Sequence, residues 1–286
     1  MRIYDMHVHI DRPGCDRQKL LERMDEAGVY GAALFSLPPE DSTAPFERAP
    51  YRERLKSLKE WTGREERLIP VLWVSPFEKD ASDMVRDAAA EGVRAFKMIC
   101  DTYPVYCEES MRLLEAIEKT GRPAIFHSGI LWSGTNTSAN NRPVNWEALM
   151  DLSSLKFSMG HCSWPWHDEC IAVYGKFLNS YLTRRLSAEM FFDLTPGTPP
   201  IYRRELLTKL FTVGYDVENN LMFGTDSVAA DYDPDWVTGW IGRDNGIYDE
   251  LGVTEEQREK IYRENFMRFL SGGDTDHRAP MMNKNS

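Results

Sequence analysis

Eight times along this chain a short, apolar, β-rich run gives way to an amphipathic segment, and that rhythm limits the fold more than any other feature. The runs cover residues 2–10, 31–37, 68–74, 93–100, 124–128, 156–161, 188–194 and 221–225. The helical segments between and after them lie near 16–27, 51–61, 81–91, 108–119, 146–152, 168–182, 203–213 and 255–270. In the first helix Leu20, Leu21, Met24 and Ala27 share one face, and Gly28 follows its end. Strand followed by helix, repeated end to end, is the pattern of a parallel sheet with crossover helices. Eight such units, joined by right-handed crossovers, predict an α/β fold of one (β/α)8 TIM barrel over residues 1–270. An open doubly wound sheet would want a glycine-rich turn after the first strand, where this chain has His7-Val8-His9. The 286 residues exceed the roughly 250 of such a barrel. The surplus is assigned to long loops after strands five (129–143) and eight (226–253), and to a polar tail, 271–286, expected to fray.

Composition narrows the partners. With 34 Lys+Arg against 45 Asp+Glu, the net charge of −11 repels a phosphate backbone and an anionic membrane surface alike. There is no apolar run of membrane-spanning length and no apolar core to a leader segment at the start. Five cysteines without paired spacing do not make a disulfide framework. The expectation is a cytoplasmic protein with a small-molecule substrate, no nucleic acid or membrane partner, and room for a homo-oligomer.

The chemistry gathers at strand ends. His7 and His9, two apart on the first strand, share a face, and two neutral imidazoles side by side can reach one ion. His127 ends the fifth run, His161 the sixth, and Asp226 follows the eighth. A polar group capping an apolar strand is costly unless it is paired or metal-bound, and this end of a barrel is where active sites are built. Lys97 sits inside the fourth run. It either faces the barrel interior, as a carbamylated bridge between two metals or a free ammonium for substrate, or snorkels on the helix-facing side.

As an ordered set, these segments resemble the amidohydrolase superfamily over nearly the whole chain. They are Ile3-Tyr4-Asp5-Met6-His7-Val8-His9, Val93-Arg94-Ala95-Phe96-Lys97, Phe126-His127-Ser128-Gly129, Gly160-His161-Cys162, Phe223-Gly224-Thr225-Asp226 and Tyr262-Arg263-Glu264-Asn265-Phe266. Within the superfamily they are similar to the amidohydrolase-related branch of lactonases and aminocarboxymuconate-semialdehyde decarboxylase-like enzymes. The resemblance implies that His7, His9, His127 and Asp226 hold a divalent metal, Zn²⁺ in the first instance. It makes Asp226 the general base and then acid, and His161 a stabiliser of the oxyanion or a proton carrier. One ion is favoured; a carbamylated Lys97 would allow two. The implied activity is hydrolysis of a small cyclic ester or amide such as a sugar lactone. The alternative is non-oxidative decarboxylation of an unsaturated or aromatic acid, and a third reading is a metal-free binding barrel.

Loops after the strands shape the pocket. Arg12 either clamps a substrate carboxylate or is solvated. Trp132 and Trp164, with Tyr103, Tyr106 and Trp166, offer aromatic walls, and the small polar residues of 133–141 offer hydroxyl and amide donors. Together they suit a sugar-like or aromatic substrate. Cys162 is assigned to core packing, and the 226–253 segment, with Trp236 and Trp240, to a lid or an oligomer contact.

Overall fold

Side chains alternate across a strand, so each apolar run here must send one set of residues inward and the other toward the helices. The computed structural model describes residues 1–271 apart from 184 and 198. Its strands are β1 (Ile3–His9), β2 (Val29–Phe35), β3 (Leu68–Trp73), β4 (Ala95–Met98), β5 (Ala124–Phe126), β6 (Lys156–Met159), β7 (Glu189–Asp193), β8 (Leu221–Met222) and β9 (Ser227–Val228). All neighbours run parallel, in the order β8-β7-β6-β5-β4-β3-β2-β1-β9. β9 pairs with β1, and the Met6 N–H donates to the Phe223 carbonyl at 2.9 Å, just after β8. The result is an α/β, TIM-barrel-like sheet, curled so that β1 pairs with β9 and bonds the residue that follows β8.

The helices are α1 (Arg17–Glu26), α2 (Tyr51–Thr62), α3 (Ala81–Ala90), α4 (Glu108–Lys119), α5 (His167–Leu182), α6 (Pro200–Thr212), α7 (Pro234–Leu251), α8 (Glu255–Glu259) and α9 (Asn265–Leu270). A π-helical turn, Lys260–Glu264, joins the last two. Their apolar faces, such as Leu55, Leu58 and Trp61 of α2 and Leu113, Leu114 and Ile117 of α4, pack on the outer face of the sheet. Each large side chain so buried contributes about 1.5–3 kcal/mol.

The inward set forms a second cluster of Met6, Ala33, Val71, Ala95, Ile125, Phe191 and Met222. Phe266 and Phe269 close it. Arg94, just before β4, donates to the Leu270 carbonyl, and Lys156, first in β6, to that of Arg268. The last helix is thereby fixed across the N-terminal end of the sheet, leaving the C-terminal end for the loops.

Two expectations need correction. The segment 226–253 is not a loop: most of it is α7. Asp233 caps this helix by accepting from the Asp235 and Trp236 N–H groups, Pro234 opens it, and Gly252 at φ 70° ends it. Val237, Trp240, Ile247 and Tyr248 are its buried face. Gly239, Gly242 and Gly246 dilute the helical signal in the sequence without breaking the helix. The short helix expected at 146–152 is a 3-10 turn, Pro143–Asp151, and a second one, Ser138–Asn141, interrupts the loop before it. The expected tail lies outside the described residues beyond Ser271. No helix among the described residues is long and apolar enough to cross a membrane.

Candidate metal centre and its cavity

Two residues further along the strands than the inner apolar cluster, the inward row changes character. Ala95 is followed on the same face by Lys97, Ile125 by His127 and Phe191 by Asp193, while β2 and β3 keep aromatic residues there, Phe35 and Trp73. Lys97 therefore faces inward, not toward the helices. It is 1% exposed, with Nζ 3.4 Å from His7 Nε2, and burial pushes its pKa down to about 8. On β1 the pairing with β2 slips between Asp5 and Val8, so His7 and His9 both reach the inner space beyond Met6.

His7, His9 and Asp226 converge, each offering one donor atom within 4.8 Å of the others. Asp226 Oδ1 lies 3.6 Å from His7 Nε2 and 3.3 Å from His9 Nε2. Ligands about 2.0–2.2 Å from a tetrahedral ion stand roughly 3.3–3.6 Å apart, so the three atoms have the spacing of a coordination shell. The remaining nitrogen of His7, Nδ1, meets Asp193 Oδ2 at 2.5 Å, and Asp193 is itself held by the Thr195 N–H at 3.0 Å. A carboxylate behind an imidazole fixes the tautomer that leaves Nε2 free to bind. Asp5, beneath the pair, accepts from the His7 N–H, the Thr225 N–H and hydroxyl, and Tyr232. Burial nonetheless pushes Asp5 up to about 7.

Electrostatics keep the donors in their binding forms. Burial, assisted by the Lys97 charge, lowers His7 to about 3, and burial also lowers His9. Burial would raise Asp226, but the His9 hydrogen bond and the neighbouring imidazoles outweigh it and hold the carboxyl well below its usual range.

On the opposite side of the floor the two other histidines behave differently. His127, expected as a fourth ligand, is not part of the converging group; its Nε2 hydrogen-bonds the Ile130 carbonyl at 3.1 Å. His161 is buried with Nδ1 unpartnered, its ring 4.9 Å from that of His127 and 5.5 Å from that of His7. His161, Cys162 and Ser163 all take positive φ, as does Asp226. Such conformations cost about 1–3 kcal/mol each in non-glycine residues and cluster where function requires them. A Cβ on Gly197 would come within 2.5 Å of His161 Cγ, so only glycine lets the β7–α6 connection close over this ring.

The floor opens into a cavity of about 410 Å³. Trp132 and Trp164 line it with parallel rings, 3° apart and 6.2 Å between centroids. Phe46, Trp73, Trp236 and Trp240, which the sequence did not single out for this role, complete the walls together with prolines. Arg12 is not brought to the cavity: its guanidinium pairs with Asp11 and Asp231, each at 2.6 Å, on the surface. Tyr103 packs on Phe77, Tyr106 is exposed and Trp166 lies under Arg142, so none of them is a wall. Asp193 and Asp5 were also missed, although Asp193 ends an apolar strand as His127 does.

A curled, TIM-barrel-like parallel sheet with imidazoles and a carboxylate gathered at its C-terminal end has its candidate site where barrel enzymes carry theirs. The sequence matches the amidohydrolase family over residues 4–271, and the chain belongs to that family. No curated protein matches it in sequence. Among solved structures it is similar to a probable 2-pyrone-4,6-dicarboxylic acid hydrolase from Acinetobacter baumannii (TM-score 0.61, 11% identity, 95% of this chain and 100% of that one). It is also similar to an amidohydrolase 2 from Bifidobacterium longum subsp. infantis (0.58, 12%, 96% and 100%). A third is a Burkholderia ambifaria amidohydrolase with bound Zn (0.53, 14%, 90% and 68%). At these identities the likeness is one of fold.

Proposed function

We propose that this protein is a metal-dependent hydrolase of a small cyclic ester or amide, built on a single (β/α)8 barrel in which β8 and β9 are halves of one interrupted strand. The observation that carries the reading is the shell-like spacing of His7, His9 and Asp226 with Asp193 behind it, at the floor of an open, largely apolar cavity. The nitrogen and carboxylate donors suit Zn²⁺, and the family membership supports a divalent ion. When bound there, such an ion polarises a substrate carbonyl and lowers the pKa of water.

This chain's own residues do the rest. Asp226, ionised at neutral pH, takes the proton of the attacking water and returns it to the leaving oxygen or nitrogen. His161, with a free ring nitrogen and a fixed backbone, faces the developing oxyanion or relays that proton. Lys97 adds a positive charge beside His7 rather than a second ligand set, and with one converging donor group among the described residues a single ion is the reading favoured. The test is metal analysis of the purified protein together with a lactone and lactam panel. One equivalent of divalent ion and ring opening with uptake of water are expected. Absence of bound metal with no activation by Zn²⁺ or Mn²⁺, or release of CO₂ from a carboxylated substrate, overturns it.

A further inference from the structure

The cavity has two chemistries that do not mix, and their separation identifies the substrate class. Every ionisable group that lines it belongs to the floor: His7, His9, Lys97, His127, His161 and Asp226. Lys97 is the sole Lys or Arg among the described lining residues, and it is engaged 3.4 Å from His7. Above the floor the walls are mainly Phe46, Trp73, Trp132, Trp164, Trp236 and Trp240, with proline and aliphatic side chains between them. The lining hydroxyls of Thr43, Ser128 and Ser133 are already bonded to Asp101, the Gly160 carbonyl and Thr135.

The hydroxyls of the polar loop are engaged largely within the protein. Ser133 Oγ bonds Thr135 Oγ1 at 2.8 Å, Thr135 bonds Thr137 at 2.8 Å, and Thr137 donates to the Asp101 carbonyl. Ser138 Oγ accepts the Leu131 N–H, and Asn141 donates to the Cys100 carbonyl from a buried position. The Trp236 indole N–H is likewise taken, by the Thr225 carbonyl at 3.0 Å, whereas the buried Trp240 indole N–H has no partner and is a lone donor on that wall. A polyhydroxylated ring placed here would lose its water partners against carbon surfaces, whereas a flat ring gains from the same contact. A second carboxylate would meet no cation in the walls.

We infer that the hydrolysable carbonyl of the substrate is carried by a flat, largely apolar ring bearing at most one negative charge, so that sugar-like and dicarboxylated rings are poor substrates. This rests on the hydrolase reading for turnover, but not for binding, and it differs from the dicarboxylic acid named for the Acinetobacter relative.

The experiment uses the Zn²⁺-loaded protein and three non-hydrolysable probes, 2-naphthoate, glucuronate and naphthalene-2,6-dicarboxylate, titrated by calorimetry. 2-Naphthoate should bind at least about tenfold more tightly than either of the others. Trp132→Ala and Trp164→Ala should each weaken it about threefold or more and leave glucuronate unchanged. Equal or tighter binding of glucuronate or of the dicarboxylate overturns the inference. In parallel, dihydrocoumarin and glucono-1,5-lactone are tested for hydrolysis. Preferred, metal-dependent opening of the sugar lactone overturns this inference while keeping the hydrolase reading. Selective naphthoate binding with neither lactone opened, nor any other ester or amide, supports the ring preference in binding and overturns the hydrolase reading on which its hydrolysable carbonyl rests.

Discussion

The two sides of the cavity floor are built from the same residue types at the same end of neighbouring strands, yet they are not equivalent. On the β1 and β8–β9 side, His7, His9 and Asp226 point unshared donor atoms at one another, and Asp193 fixes the imidazole behind them. On the β5 and β6 side, His127 has given a ring nitrogen to a backbone carbonyl, and His161 is held by a bent backbone instead of a carboxylate. An imidazole becomes a ligand only when something else fixes its tautomer and leaves a lone pair free. His7 meets that condition through Asp193 and His127 through the Ile130 carbonyl, so the sides differ in convergence: three donor atoms meet on the first side, and among the described residues no such group includes His127 or His161.

The sharpest way to break this contrast is Asp226→Asn. The amide keeps the volume but neither ligates as an anion nor takes a proton, so kcat should fall about 10³-fold or more while the thermal transition of the metal-free protein stays in place. If activity is near normal, Asp226 has no role in proton transfer. Metal analysis of His127→Asn discriminates between the sides, since this change should leave bound metal at one equivalent; loss of the ion would place His127 in the shell.

The next effect tests the support behind the ligands. Asp193→Asn removes the charge against His7 Nδ1. Metal affinity should fall about 10–100-fold, read by competition with a chelator, and kcat at saturating metal should suffer less than in Asp226→Asn. An unchanged affinity would mean that His7 does not depend on Asp193 for its orientation.

On the other side, Gly197→Ala is the corresponding probe of His161. The added methyl must displace the ring, and displacement by about 1 Å at a reacting centre can cost up to roughly 10²-fold in rate. The expected signature is a lower kcat with metal affinity intact, the reverse of Asp193→Asn. Equal loss of metal in both variants would erase the distinction between the two sides.

How much of this was legible beforehand follows from what each feature leaves in the sequence. Strands that alternate inward and outward and end in His or Asp announce both the sheet and the floor of the site, because a polar residue there has few other reasons to exist. Asp193 obeyed that rule, in Met190-Phe191-Phe192-Asp193-Leu194, but carries no neighbouring histidine to draw attention. Helix α7 was hidden by three glycines that packing tolerates. The positive φ values at His161, Cys162 and Ser163 had no glycine to reveal them. The hydroxyls of 133–138 were expected to serve a sugar-like or aromatic substrate, but composition says that donors exist and not that they are already engaged with one another.

Arg12 is where the same logic predicts the smallest effect. It follows His9 closely and carries the side chain best suited to a carboxylate, so sequence alone invites a role in binding. Its fork is instead divided between Asp11 and Asp231, both outside the cavity lining. To reach a substrate it would have to leave two carboxylates and cross the rim, and an exposed pair of this kind adds little to either fold or function. Arg12→Ala should therefore change kcat/KM by less than about twofold for neutral and monoanionic substrates alike, as surface substitutions generally do. A loss confined to anionic substrates would show that the guanidinium swings inward during turnover, and would give the cavity walls the cation that this structure denies them.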